Sequence, residues 1–166
     1  MKRITIALLL LAVAALPLAA DNHPGVTLRA GATMAFESTG WNRGSETEMT
    51  SVMCILAYGP LFGGAGVDFS VRGDGRYDAH LRSGFRIDLK LIQLSVYGLV
   101  QQGINYPEEE KGLTLSGAGS TLDLNLFGPV GVYADYRLLS PLWYKSMGYR
   151  TRPTAACLSV GLNLHF

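Results

Sequence analysis

From Val26 onward the even positions Val26, Leu28, Ala30, Ala32, Met34 and Phe36 are apolar, while the odd positions Thr27, Arg29, Gly31, Thr33 and Ala35 are small or polar. A period of two puts successive side chains on opposite faces of an extended chain, so this run predicts a strand with one apolar face. The pattern returns in Ala65, Val67, Phe69 and Val71 against Gly64, Gly66, Asp68, Ser70 and Arg72. It returns again in Leu81, Phe85, Ile87 and Leu89, with Ser83 among them, against His80, Arg82, Gly84, Arg86 and Asp88. Leu94, Val96 and Val100 then alternate with Gln93, Ser95, Tyr97 and Gln101, and Val132, Ala134, Tyr136 and Leu138 alternate with Gly131, Tyr133, Asp135 and Arg137. The last segment sets Ala156, Leu158, Val160, Leu162, Leu164 and Phe166 against Ala155, Cys157, Ser159, Gly161, Asn163 and His165.

Two further segments are less regular. Met49 to Tyr58 is apolar on both faces, and Leu113 to Leu126 begins with odd apolar positions and ends with even ones. A bulge within Gly117-Ala118-Gly119-Ser120 would produce that change of phase. Counting both gives eight strands. Short links, Tyr58-Gly59-Pro60-Leu61, Lys90 to Ile92 and Phe127-Gly128-Pro129-Val130, alternate with long polar ones near 37–48, 73–78, 102–112 and 139–153. Gly and Pro at these positions mark tight turns, so the chain reads as an up-and-down meander with turns at one end and loops at the other.

Ahead of the strands stand Lys2 and Arg3, an apolar run from Ile4 to Leu16, and Pro17-Leu18-Ala19-Ala20. A run of about a dozen apolar residues is shorter than the ~20 of a membrane-spanning helix, and small residues close it, which together read as a secretory signal peptide over 1–20 with cleavage near Ala20. The barrel domain then occupies 21–166. Composition adds exclusions. Lys and Arg number 14 against 13 acidic residues, and loss of Lys2 and Arg3 would leave 12 against 13, too even a balance for capture of nucleic acid. Two cysteines, Cys54 and Cys157, cannot build a disulfide framework or a multi-cysteine zinc module, and they would pair with each other only if both faced one side at matched depth.

Alternation does not say whether the apolar face meets a soluble core or lipid. Export, an even strand count, turn and loop asymmetry, and a last strand apolar at every second residue down to Phe166 favour a transmembrane barrel over a lipocalin-like one, and strands of about 10 to 13 residues meet the ~9–11 that a tilted transmembrane strand needs. Aromatics fall at both expected interfaces: Tyr58, Phe62, Phe127 and Phe166 near the turns, and Phe36, Trp41, Tyr77, Tyr106, Trp143 and Tyr144 near the loops. On these features the chain resembles the small eight-stranded outer-membrane barrels of diderm bacteria, such as OmpX, the membrane domain of OmpA, and OmpW. The most specific element is Leu158-x-Val160-x-Leu162-x-Leu164-x-Phe166, which resembles the signal read by the outer-membrane assembly machinery. The resemblance implies an all-β, eight-stranded antiparallel transmembrane barrel in the outer membrane, in contact with its lipids.

If the apolar positions face lipid, the interior receives Arg29, Asp68, Arg72, His80, Arg82, Arg86, Asp88, Asp123, Asp135 and Arg137. An eight-stranded barrel has room for little more than its own side chains, so these charges are expected to pair and plug it. A gated polar conduit is the competing reading. Hydrolytic chemistry is not expected, because His80 and Ser83 fall on opposite faces while His23 and His165 lie far from the loop end. No cofactor or metal is implied. The expected function is a structural or surface-interaction scaffold, with a small-solute channel or OmpW-like transport as the alternative. Hydrophobic transport would want an apolar lumen, which only Met53, Ile55 and Ala57 supply by parity. Acidic Glu46, Glu48 and Glu108 to Glu110, with basic Lys145, Arg150 and Arg152, make the loops the expected surface for a host or envelope ligand.

Overall fold

The computed structural model describes residues 24–38, 48–71, 75–89, 91–104, 114–142 and 154–166. Eight antiparallel strands form one closed sheet: β1 (Pro24–Ser38), β2 (Glu48–Tyr58), β3 (Leu61–Ser70), β4 (Tyr77–Leu89), β5 (Ile92–Ile104), β6 (Thr114–Phe127), β7 (Val130–Pro141) and β8 (Thr154–His165). Each strand pairs with its sequence neighbours, and β1 closes on β8 from Thr27 opposite His165 to Ser38 opposite Thr154. Val26 and Phe166 exchange both backbone hydrogen bonds at the seam, at 3.1 and 2.8 Å. Closure leaves no open edge, which is the condition a sheet must meet wherever water cannot satisfy its backbone.

The turns follow from their residues. Gly59 and Gly128 have φ of 55° and 57°, and each is followed by a proline that fixes a negative φ. Positive then negative φ is the sign pattern of a type II′ turn, whose twist matches that of the flanking strands. At the third turn the Leu91 amide donates to the Leu89 carbonyl at 2.7 Å. The expected signal peptide at 1–20, Arg72, and Trp41, Tyr106, Trp143 and Tyr144 lie outside the described residues. So do Glu46, Glu108 to Glu110, Lys145, Arg150 and Arg152, while only the backbone of Glu48 is described.

Side chains sort by parity around the ring. Val52, Cys54 and Leu56 of β2 point outward, while Ser51, Met53, Ile55 and Ala57 point inward, which resolves the segment that is apolar on both faces. Large apolar groups remain uncovered outside, with Leu56, Leu81 and Leu162 exposed by 61%, 66% and 60%. Among the described outward side chains none carries a charge. Tyr58, Phe127 and Phe166 are exposed at the turn end. Phe62 departs from that expectation: it is buried inside, with its ring edge-on to Tyr97 at a centroid distance of 6.1 Å.

β6 also corrects the sequence reading. Its pairing with β5 runs without interruption from Thr114 to Leu124, so no bulge interrupts Gly117 to Ser120. Leu115 and Thr121 both face inward, because Leu115 is an apolar residue of the interior and not a marker of the outer face. The irregularity lies between Asn125 and Phe127, beside the turn. Cys54 is exposed outside and Cys157 buried inside, so the wall separates the two thiols and no disulfide joins them.

Inward rings lie directly on backbone where glycine leaves room. A Cβ on Gly66 would stand 2.5 Å from Cε1 of His80, and one on Gly119 would stand 2.5 Å from Cζ of Tyr97. Gly119→Ala is therefore expected to destabilise the barrel by about 1–3 kcal/mol, the usual cost of overpacking, measured by denaturant unfolding of the protein folded in lipid vesicles. Equal stability would show that Tyr97 has other space to occupy.

Candidate functional site: the charged barrel interior

The strand register, and not proximity in sequence, builds the interior. In the half of the barrel nearest the turns, Arg29 of β1 donates through Nη2 to Asp123 Oδ2 of β6 at 2.6 Å. Asn163 of β8 donates to the other oxygen of that carboxylate at 2.7 Å. The Arg29 guanidinium also lies 5.2 Å from the Tyr133 ring centroid, an arrangement in which the ring face attracts the cation. Beside it, Thr27 Oγ1 and His165 Nδ1 are 2.9 Å apart.

A second cluster fills the middle. Arg82 of β4 donates through Nη1 to Asp135 Oδ1 of β7 at 3.1 Å, and its guanidinium stands 4.5 Å from the Tyr97 ring centroid. The Tyr97 hydroxyl and Thr121 Oγ1 donate to the same Asp135 oxygen, the latter at 2.7 Å. Arg137 joins this pair to the next: its Nε is 3.4 Å from Asp135 Oδ2, its Nη1 donates to Asp68 at 3.0 Å, and its Nη2 donates to Ser159 at 3.0 Å. His80 Nε2 lies 3.6 Å from the remaining Asp68 oxygen.

All of these charged side chains are withdrawn from solvent, and Asp123 and Asp135 are fully so. Removing charges from water costs several kcal/mol per ion, and a partner offsets that cost only when geometry and hydrogen bonding are good. Distances of 2.6 to 3.1 Å between opposite charges meet the requirement. The arrangement ties β1 to β6, β4 to β7, and β3 to β7 across the lumen.

The residues singled out in the sequence divide accordingly. Arg29, Asp68, His80, Arg82, Asp123, Asp135 and Arg137 meet in these two clusters. Arg86 and Asp88 do not: they form a local pair at 3.4 Å at the turn-end rim, where Arg86 Nε also donates to the Gly59 carbonyl at 3.1 Å. Sequence reasoning missed Asp78, which is wholly buried because β4 begins at Tyr77 and not after the loop expected near 73–78. It also missed Tyr97, Thr121, Ser159 and Asn163 as partners, since a polar inward residue shows no local sign of what it will meet. Ser83 points outward, opposite to His80, so no hydroxyl–imidazole pair forms there.

The interior is less uniformly polar than expected. Phe62, Leu99, Leu115, Leu139 and Cys157 join Met53, Ile55 and Ala57 in one buried apolar cluster. The reason is positional: Leu99 and Leu139 each stand beside an outward apolar residue, Val100 and Leu138, and adjacency hides their parity.

No protein-family model matches the chain, and no curated protein sequence matches it. Solved structures do share its fold. Neisserial surface protein A superposes with a TM-score of 0.53 at 12% identity, covering 89% of this chain and 99% of that one. The Yersinia pestis outer membrane protein Ail, determined in a phospholipid bilayer nanodisc, superposes with a TM-score of 0.51 at 12% identity, covering 87% of this chain and 100% of that one. The fold is that of the small eight-stranded antiparallel barrels.

Breaking one buried pair leaves the other charge uncompensated. Arg29→Met is expected to cost about 3–5 kcal/mol, whereas Arg29→Met combined with Asp123→Leu recovers most of that loss. Unfolding titrations of the three forms in vesicles check this, and additive losses would mean that the pair is not coupled.

Proposed function

We propose that this protein is an integral outer-membrane barrel, exported behind a leader cleaved near Ala20, that acts as a structural and surface-interaction scaffold with a plugged interior. The observation that carries the reading is an inversion: the described outward side chains are uncharged and largely apolar, while the buried charges are ion-paired within. Such a surface suits hydrocarbon, where an Arg or Lys near the midplane costs about 2–4 kcal/mol. The similar Ail barrel has its structure in a lipid bilayer, which supports the same setting here. The alternating Leu158, Val160, Leu162 and Leu164 with Phe166 are proposed as the segment offered to the assembly machinery, and the four long connections as the surface for an extracellular ligand. No catalytic role is proposed.

A second reading, passage of small solutes, draws support from the apolar cluster that runs beside the charges. Planar-bilayer recording separates the two. Under the plug reading the refolded protein gives no discrete conductance steps, and Arg82→Ala, which removes one of the two guanidinium partners of Asp135, produces them. Arg86→Ala leaves the membrane silent, because Arg86 stands at the rim and outside the clusters. Steps in the unmodified protein would establish a conduit instead.

A further inference from the structure

The two interior surfaces cross one another diagonally. Near the turns β1, β6 and β8 carry the polar groups Arg29, Asp123, Asn163 and His165, and β4 and β5 add Arg86, Gln93 and Ser95, while β2 and β3 present Ile55, Ala57 and Phe62. Near the loops the assignment reverses: β3 to β5 present Asp68, His80 and Gln101, while β6 to β8 present Leu115, Leu139, Ala155 and Cys157. One polar stripe thus runs the length of the barrel with an apolar wall opposite.

Along that stripe stand polar atoms with no hydrogen-bond partner among the described residues. They are His165 Nε2, Asn163 Oδ1 and Arg29 Nε toward the turns, the Tyr133 hydroxyl, then Arg82 Nε and Nη2, His80 Nδ1 and Gln101 Oε1 toward the loops. Leaving such atoms dry would cost about 1–3 kcal/mol each, more where the group is charged. Arg82 is the clearest case. Nη1 is held by Asp135 and the ring of Tyr97 stacks on the guanidinium, so the Nε and Nη2 edge is fixed in place with nothing to donate to.

Donors and acceptors occur together along the stripe, at Arg29 and Arg82 on one side and Asn163 and Gln101 on the other. A ligand able to satisfy both kinds within so narrow a space is water, which makes two to four hydrogen bonds at buried polar sites. Tyr133 links the halves. Its hydroxyl lies 2.7 Å from where a Cβ on Gly31 would be, and Gly31 stands on β1 between inward Arg29 of one cluster and Thr33, whose Oγ1 is 2.7 Å from Ser159 Oγ of the other.

We propose that the barrel carries a file of ordered water along this stripe and passes water, but not ions, between its ends. This rests on the plugged interior proposed above. The fixed charges along the stripe already face one another, so an entering ion would shed its hydration without meeting a free counter-charge. Water enters without that cost, and the apolar wall offers it no competing hydrogen bonds.

The test is stopped-flow osmotic shrinkage of lipid vesicles containing the refolded protein, run beside planar-bilayer recording of the same preparation. The expected result is faster shrinkage than in protein-free vesicles, in proportion to protein content, with no conductance steps. Shrinkage at the protein-free rate in silent membranes overturns the water file and leaves the plug standing. Conductance steps overturn the plug, and with it the exclusion of ions. Tyr133→Phe keeps the ring under Arg29 and removes the linking hydroxyl, so water permeability falls several-fold, and an unchanged rate refutes the path through Tyr133. Should that variant fail to fold, as read by heat-dependent gel mobility, Gln101→Met tests the loop half of the stripe in the same way.

Discussion

Closure of β1 on β8 is the constraint from which the rest follows. Once the ladder has no free edge, each strand residue has only two directions available, and a single register fixes them for the whole ring. A slip of one residue in β1 would send Arg29 outside and draw Leu28 and Ala30 within. The uncharged exterior and the charged interior are therefore one fact expressed on two surfaces. The buried pairs then act in return on the register, since Arg29 reaches Asp123 only when the intervening pairings hold.

The interior is organised by backbone as much as by side chains. His80, Tyr97 and Tyr133 lie over Gly66, Gly119 and Gly31, so parts of the wall are one main chain thick. Glycine usually weakens a strand, because it orders more freedom and packs nothing. Here the inward ring of another strand supplies the missing contact and fills the space, which lets bulky Tyr and His side chains fit beside the guanidinium groups. The ion pairs are held in place by these rings.

Most of the fold is legible in the sequence, because two-residue alternation and turn chemistry are local signals. The Gly-Pro turns mark two ends of strands, and the even positions of β1 and β8 mark their outer faces. What local signals do not supply is the phase of residues flanked by others of the same kind. Leu99 and Leu139, beside Val100 and Leu138, do not stand out as interior for that reason, whereas Leu115 reads as outward because it alternates with Thr114 and Ser116 like the apolar residues of an outer face. The charged residues are legible as a set, but not as pairs. Arg29 and Asp123 lie 94 positions apart, and their meeting depends on the register of every strand between them. Phe62 illustrates the same limit for aromatics, since proximity to a turn does not decide which face a ring takes.

The two cysteines gain a use from their placement. Cys54 looks outward among apolar neighbours, and Cys157 looks inward beside the buried ion pairs, at the residue opposite Arg137. One native chain thus carries a thiol for each environment that the wall divides. Cys54 is open to a thiol reagent while Cys157 is shielded as long as the ring stays closed, so labelling of the second thiol reports on opening of the wall without any engineered label.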